Sequence, residues 1–194
     1  MNKKLIIAGS MVGLVFSCFV GVGNLYCDSA KEHFSRGNDY AEKGEHYQAI
    51  AEFKKVIQLR PGAYRAYTNI GLSYNKLSRY QDAITNFQKA LQINSNDYAA
   101  HHGMGVSYHY LGDYQQSANC YKNALRIKPN YALAHESLGR AYGYLYQYEE
   151  AKKSFQKAKG LYQAQGNYTK AREMEDTINK ISELQEYEDE EYWY

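Results

Sequence analysis

The stretch YRAYTNIGLSYNKLSRYQDAITNFQKALQINSND, residues 64–97, decides the fold, because its main positions recur along the chain every 34 residues. Gly71 is followed by Tyr74, Ala83 and Phe87, and each of these four residues belongs to a column with that period. The columns are Gly37, Gly71, Gly105 and Gly139; Tyr40, Tyr74, Tyr108 and Tyr142; Ala49, Ala83, Ser117 and Ala151; and Phe53, Phe87, Tyr121 and Phe155. Four columns in phase indicate an array of repeats.

Each repeat contains two segments with apolar residues at helical spacing, such as Tyr64–Leu77 and Gln81–Asn94. A short turn such as Gly112-Asp113-Tyr114 lies between them, and its glycine tolerates the positive φ that ends a helix. Gly71 falls inside the first helix, where glycine costs about 1 kcal/mol relative to alanine. The glycine column therefore predicts a close approach of the second helix, with the small residues of the Ala83 column as its partners.

The period, the small-x-x-Tyr sequence and the later small and aromatic residues together resemble the tetratricopeptide repeat. The repeats run over residues 30–63, 64–97, 98–131 and 132–165. Pro61 and Pro129 match the proline near the end of the pattern, whereas Ser95 and Gln163 replace it in the other two repeats. The resemblance implies an all-α, right-handed α-solenoid of four helix hairpins.

The last hairpin of a stacked array needs a lid, because no single hairpin buries its own apolar face. Tyr168–Leu184 is amphipathic, and we expect it to form that capping helix within a segment of residues 166–185. The preceding helix, Glu149–Gln165, is predicted to be longer than its counterparts. An acidic and aromatic segment, residues 186–194, follows the cap.

Residues 1–29 form a separate N-terminal element. Lys3 and Lys4 precede an uncharged apolar run from Leu5 to Cys27, which is typical of a signal peptide or a membrane anchor. Three fates remain open: cleavage after Gly23, retention as an anchor, or lipidation at Cys18, where the preceding residues resemble a bacterial lipobox. All three place the repeats outside the cytoplasm, in the periplasm, in the medium or tethered to a membrane, with membrane contact only through this segment.

The histidines do not predict a metal site. His33, His101 and His135 share a column in which the second repeat has a tyrosine, which indicates packing. His102 and His109 face the inner surface, but seven residues of helix separate them by about 10 Å, too far to share one ion.

No catalytic or cofactor-binding motif is present in the sequence, which has no Gly-rich phosphate loop and no nucleophile elbow. We therefore expect no enzyme activity and no cofactor. The formal net charge of +2 and the lack of a basic stripe also argue against a nucleic-acid partner. Cys120 is expected to be a buried structural thiol.

The first helix of each repeat is expected to line a concave groove, in which a peptide would bind. The predicted groove residues are Lys31, Phe34, Asn38, Arg65, Thr68, Asn69, Leu72, Asn75, His102, Val106, His109, Glu136 and Arg140. This mixed basic and aromatic lining suits an extended or helical peptide with acidic charge and an apolar anchor, and Tyr110 and Tyr144 are expected on its rim.

The resemblance also allows a comparison with co-chaperone members of the family, which hold a peptide C-terminus in a carboxylate clamp. Asn38 and Asn69 match the asparagines of that clamp, but Phe34, Ala99 and Gly103 replace its lysines and arginine. Recognition of chaperone tails is therefore not expected.

Residues 186–194 combine acidic charge with Tyr192, Trp193 and Tyr194, and Trp193 is the only tryptophan in the chain. A disordered tail would rarely carry these three aromatic residues, so the segment is interpreted as a docking peptide for its own groove or a neighbour's, with a solubilising tail as the alternative. The sequence thus predicts a non-enzymatic exported scaffold or adaptor that binds a protein segment. The alternative is a structural component that self-assembles through this segment.

Overall fold

The computed structural model describes residues 29–191, with side chains up to residue 185. Over that range the regular structure is helical throughout, and nine helices follow one another with short turns between them. They are α1 (residues 29–42), α2 (His46–Leu59), α3 (Tyr64–Lys76), α4 (Tyr80–Ile93), α5 (Tyr98–Tyr110), α6 (Tyr114–Ile127), α7 (Ala132–Tyr144), α8 (Tyr148–Ala164) and α9 (Tyr168–Glu191).

The helices stack in chain order. From α2 to α9 each helix packs on the next, and α5 also contacts α3 and α7, so the odd-numbered helices lie side by side. This arrangement of hairpins confirms the predicted all-α solenoid, because contacts between neighbouring hairpins hold such an array together.

The periodic columns form the core. Phe53 and Phe87 are fully buried, as are Ala49, Ala83 and Ser117. The predicted close approach at the glycines is present. The small column takes part in it, since the Ser117 hydroxyl donates to the Gly105 carbonyl at 2.9 Å, and the aromatic column fills the space beside each glycine. A methyl group built on Gly71 would lie 2.7 Å from the Phe87 ring, and one on Gly37 would lie 2.6 Å from the Phe53 ring. The ring of the second helix therefore occupies the space where a side chain on the first helix would otherwise stand.

The turns between the helices of a hairpin have one residue with positive φ. Gly112 has φ of 81°, as predicted for this turn, and Gly44 has φ of 78°. Ser78 and Tyr146 occupy the same turn position in the second and fourth hairpins, with φ of 57° and 58°. Glycine adopts this conformation without strain, whereas a bulky side chain adopts it at a cost.

The capping helix is longer than predicted. It runs to Glu191, seven residues beyond Leu184, and its buried face consists of Ala171, Met174 and Ile181, which pack against α8. The preceding helix α8 has 17 residues, whereas α2, α4 and α6 have 14, which confirms the predicted extension. The added length of α8 supports the cap.

No helix within residues 29–191 is both long and apolar enough to cross a membrane. The predicted N-terminal signal or anchor, including Cys18 and Cys27, lies outside the described residues.

Candidate functional site

The odd-numbered helices α1, α3, α5 and α7 form one side of the solenoid, which we call the groove face. Pockets on this face begin between α1 and α3 and continue to the start of α5. Of the predicted groove residues, Lys31, Phe34, Asn38, Arg65, Thr68, Asn69 and Leu72 line these pockets.

The largest of these pockets, which we call the N-terminal pocket, has a volume of about 800 Å³. It lies between the start of α1, the end of α2 and the start of α3, and Phe34 and Tyr64 are its aromatic residues. Its other lining residues are Ala30, Lys31, Ser35, Asn38, Val56, Arg60, Pro61, Gly62, Ala63 and Arg65. The pocket is therefore apolar inside and carries three cationic side chains.

Two smaller pockets adjoin it. One, of about 240 Å³, lies between α1 and α3 and includes Leu72, whose side chain is 40% exposed. The other, of about 300 Å³, lies between α3 and α5 and shares Phe34, Tyr64 and Arg65 with the N-terminal pocket. These shared residues make the three pockets one connected stretch of the groove face.

Several predicted groove residues instead join neighbouring repeats by hydrogen bonds. Asn69 Nδ2 donates to Asn38 Oδ1 at 3.0 Å, which ties α3 to α1. Asn75 Nδ2 donates to the Gly103 carbonyl at 2.8 Å, and the Ser107 hydroxyl donates to Asn75 Oδ1 at 2.7 Å. The amides thus hold α3 to both of its neighbours on the groove face.

Two further predicted residues are buried and have polar partners of their own. Thr68 is 4% exposed, and its hydroxyl donates to Asp97 Oδ2 at 2.6 Å. Glu136 is 3% exposed and accepts from the Tyr162 hydroxyl at 2.7 Å and from Arg140 at 2.6 Å. Both residues hold the scaffold together, and the acidic charge of Glu136 is already compensated by Arg140.

The charge of the groove face is consequently basic where it is accessible. Arg65 is exposed, and Arg140 keeps 57% of its side chain in solvent while it pairs with Glu136. Lys31 is exposed beside the N-terminal pocket. An acidic ligand would meet the guanidinium of Arg65, whose Nε donates to the Tyr64 hydroxyl at 3.3 Å.

The histidines of the groove face are shielded by aromatic rings. His102 lies 5.3 Å from the Tyr121 ring and 5.2 Å from the Tyr131 ring, and burial lowers its pKa from 6.5 to about 4. Its Nε2 lies 3.3 Å from Ser137 Oγ. His109 is surrounded by Tyr110, Tyr114 and Tyr144, and burial lowers its pKa, with a smaller effect from Arg140. Both side chains are therefore neutral at pH 7, and Val106 between them is partly buried.

Three of the four remaining histidines also make polar contacts, which their positions in the repeat pattern did not indicate. His101 Nε2 lies 3.1 Å from the Ser95 carbonyl, and His135 Nε2 lies 2.9 Å from the Pro129 carbonyl. His33 Nδ1 lies 2.6 Å from Glu52 Oε2. Among the described residues, no three His, Cys, Asp or Glu side chains are grouped so that they could hold a metal ion.

Cys120 is buried and unpaired, as expected. Burial raises the pKa of its thiol from 9.0 to about 11, and the charge of Asp113 adds to the effect. The thiol is therefore protonated and unreactive at neutral pH.

The N-terminal pocket is also lined by four residues that the repeat pattern did not indicate, namely Val56, Arg60, Pro61 and Tyr64. Val56, Arg60 and Pro61 come from the end of α2 and the following loop, and Tyr64 is the first residue of α3. The loop sequence Arg60-Pro61-Gly62, which follows the end of α2 directly, was the available signal.

Comparison with known protein families identifies the repeat. Three sequence models of the tetratricopeptide repeat match the chain, one over residues 64–97, one over residues 37–78 and 105–145, and one over residues 132–165. Together these matches span residues 37–97 and 105–165, about two thirds of the chain. A search of curated protein sequences found no significant match.

Solved structures with the same fold include a crystal structure of MamA, with a TM-score of 0.66 and 23% sequence identity. That alignment covers 84% of this chain and 100% of MamA. The first tetratricopeptide domain of Spaghetti (RPAP3), bound to the HSP90 peptide SRMEEVD, gives a TM-score of 0.59 at 22% identity and covers 61% of this chain and 94% of the domain. The tetratricopeptide domain of Arabidopsis OM64 gives a TM-score of 0.59 at 19% sequence identity. That alignment covers 61% of this chain and 98% of the OM64 domain. Identities this low support a common fold alone.

Proposed function

The chain belongs to the tetratricopeptide repeat family, and from that premise we propose that it is a non-enzymatic adaptor that binds a peptide segment of a partner protein on its groove face. The N-terminal pocket is the observation that carries this proposal. An apolar cavity of about 800 Å³ beside Lys31 and Arg65 offers room for one or two large side chains and a site for an acidic neighbour.

The ligand is proposed to be an extended or helical segment with an aromatic or aliphatic anchor and acidic residues on one side of it. Phe34 and Tyr64 would contact the anchor, because they line both the N-terminal pocket and the pocket between α3 and α5. Arg65 would pair with a carboxylate, and its planar guanidinium suits bidentate contact. The inter-repeat amides Asn38, Asn69 and Asn75 would keep the helices in place.

The same residues argue against a chaperone tail as the ligand. RPAP3 binds the peptide SRMEEVD in a related fold. In this chain Phe34, Ala99 and Gly103 stand where the co-chaperone clamp has cations, and Gly103 is pressed against Phe87. A free C-terminal carboxylate therefore lacks its cationic partners here, and we propose an internal segment as the ligand.

Peptide binding can be tested with an array of ten-residue peptides that vary the acidic residues around one aromatic or aliphatic residue. The best peptide is then titrated by fluorescence anisotropy against the wild type, Phe34→Ala and Arg65→Glu. We expect each substitution to weaken binding by about tenfold or more, which corresponds to the loss of one buried ring or one charged pair. Lys89→Glu, an exposed residue of the even-numbered helix α4, is the matched control and should leave the affinity unchanged. If Lys89→Glu and Arg65→Glu weakened binding equally, the affinity would depend on the net charge of the protein alone, and binding in the groove would be excluded.

We further propose that the adaptor works outside the cytoplasm. The support is the uncharged apolar run from Leu5 to Cys27 behind Lys3 and Lys4. The mass of the mature protein from membrane and soluble fractions tests this: loss of residues 1–23, or a lipid on Cys18, agrees with export, whereas an unmodified full-length chain confined to the cytosol does not.

A structural component that self-assembles is the second candidate. One observation favours it: the cationic N-terminal pocket and the acidic residues 186–191 belong to opposite ends of the helix order. A contact between these ends in different molecules would be heterologous and would give rings or filaments. Sedimentation that depends on protein concentration, and that loses this dependence when the chain is truncated after Leu184, would favour this candidate.

A further inference from the structure

An edge of the solenoid, away from the N-terminal pocket, is built from stacked aromatic rings. Tyr80 stacks on Tyr110 with 4.9 Å between ring centroids, and Tyr114 stacks on Tyr144 with 4.4 Å. His109 joins the two pairs, because its ring lies 5.6 Å from Tyr110 and 5.1 Å from Tyr144. We call this set of five rings, together with Tyr146, the aromatic edge. Tyr110 is 64% exposed, Tyr144 55% and Tyr146 78%, so rings at this edge remain open to a ligand.

The stacked pairs follow a rule that extends toward the capping helix. In each pair the first residue of an even-numbered helix contacts the residue 30 positions later, at the end of the next odd-numbered helix. The same step from Tyr148, the first residue of α8, leads to Ile178 on α9, and both residues pack against the same core cluster. Tyr148 therefore packs against the core that α8 forms with α9, and the position 30 residues later carries no ring.

Tyr146 is the unusual member of this edge. It has φ of 58° at the turn position that glycine occupies in the first and third hairpins and Ser78 in the second. A bulky residue in this left-handed conformation is an outlier, and such outliers concentrate where the side chain has a role. Its ring is almost entirely exposed, and its only ring contact among the described residues is an edge contact with Tyr148 at 6.3 Å. Tyr146 is thus more exposed than Tyr110 and Tyr144 at this edge, and its backbone conformation is one that a bulky residue adopts at a cost.

The position of α9 identifies a ligand within reach. Gln185 Nε2 donates to Glu149 Oε1 at 3.3 Å, so the C-terminal half of α9 lies beside the start of α8. The backbone of α9 continues for six residues beyond Gln185, to Glu191, and therefore runs on in the direction of the turn before α8, which contains Tyr146. Tyr192, Trp193 and Tyr194 lie outside the described residues, but they follow Glu191 directly, so the segment they form starts from the C-terminal end of α9.

The geometry points to the aromatic residues Tyr192 and Trp193 as the occupants of the aromatic edge, docked on Tyr144 and Tyr146 of the same molecule. The contact joins ring to ring, because Glu149 and Glu150 begin α8 and would repel the acidic residues of the segment. The acidic residues 186–191 thus remain available to solvent or to another molecule, while the aromatic residues hold the segment in place. Aromatic pairs of this kind contribute specific geometry as well as buried area.

Trp193 provides a direct test, since it is the only tryptophan in the full chain. We expect its fluorescence in the folded wild type to be protected from acrylamide, with a quenching constant below that of the urea-unfolded chain. Tyr146→Gly should abolish this protection, although it relieves the backbone conformation at the turn. Ser78→Gly makes the matched change at the same turn position of the second hairpin and should leave the protection intact. Tyr144→Ser, which keeps the turn sequence, should reduce the protection in the same direction as Tyr146→Gly.

Three results would overturn the inference. The first is that acrylamide quenches Trp193 in the folded wild type as strongly as it does in the urea-unfolded chain. Another is a protection that neither Tyr146→Gly nor Tyr144→Ser changes, which would mean that the segment docks elsewhere. The third is a protection that appears only as protein concentration rises, which would place the segment on a second copy. None of these measurements depends on the peptide ligand of the groove face, so the inference can fail while the proposed function stands.

Discussion

A methyl group at Gly71 would lie 2.7 Å from the Phe87 ring, which is fully buried and cannot move into solvent. We therefore expect Gly71→Ala to destabilise the protein by roughly 1–3 kcal/mol, the usual cost of overpacking a core, despite the higher helix propensity of alanine. Gly160→Ala in α8 is the control, and its effect on the free energy of unfolding should have the opposite sign. No atom lies within 4 Å of its added methyl group, so this change should stabilise the fold by about 0.5–1 kcal/mol. Urea unfolding of both variants measures the two effects, and a stabilised Gly71→Ala would show that the ring is not confined.

The same column shows what residue patterns predict and what they leave open. The period indicated that Gly71 permits a close approach, because a glycine inside a helix has a cost that only packing can offset. It did not indicate that the Phe87 ring fills the space where a side chain on Gly71 would stand, since Ala83 and Phe87 share the second helix. Likewise, the helical phase placed Asn69 and Asn75 on the groove face. Their hydrogen bonds to Asn38 and Ser107 depend on the rotation between repeats, which one repeat's sequence does not specify.

At the scale of elements, the first hairpin is joined by one carboxylate. Glu52 on α2 accepts from Lys55 at 2.6 Å and lies 2.6 Å from His33 and 3.2 Å from Arg36 on α1. The bonds from Lys55, then His33 and Arg36, lower the pKa of Glu52 from 4.5 to about 2. A lowered folded-state pKa means that the stabilisation is complete above pH 4.5 and is lost as the pH falls toward 2.

We therefore expect Glu52→Gln to lower the stability by about 1–3 kcal/mol at pH 7 and to flatten the fall in stability below pH 4.5. A second acid-sensitive group acts at higher pH. His102 has a pKa of about 4 in the folded protein and 6.5 in the unfolded chain. The free energy of unfolding therefore falls between pH 6.5 and pH 4 in both proteins, because only the unfolded chain takes up the proton there. Thermal unfolding from pH 7 to pH 2.5 separates the two windows, and curves for Glu52→Gln and wild type that stay parallel below pH 4.5 would exclude Glu52 as the cause.

The existence and order of the helices could be predicted from the sequence better than the residues at which they end. The hairpins and the longer α8 followed from the period, because apolar spacing and turn glycines recur in every repeat. The extension of α9 to Glu191 was not predicted, since residues 186–191 are nearly all acidic and offer no apolar face.

At the scale of the whole molecule, the repeats have similar sequences, but each interface between two neighbouring repeats has its own pair of contacting residues. Phe87 faces Gly103 of the next repeat, where an added methyl group would collide with the ring. One repeat later the equivalent position is Ser137, whose hydroxyl lies 3.3 Å from His102. The chain thus combines a strict period with neighbours that differ at each interface, which keeps the repeats in order.

Deleting residues 98–131 tests this matching, because it removes one whole period and brings Ser137 against Phe87. We expect the shortened solenoid to fold with lower stability, and Ser137→Gly in that background to restore about 1–3 kcal/mol by removing the collision. In the full chain the same substitution should have the opposite sign, since it deprives His102 of a polar neighbour and leaves a small void, at a cost of about 1 kcal/mol. Circular dichroism during urea unfolding gives all four stabilities. A change of sign between the two backgrounds assigns the effect to the Phe87 interface, whereas the same sign in both would mean that the interfaces are equivalent and that period alone determines how these repeats stack.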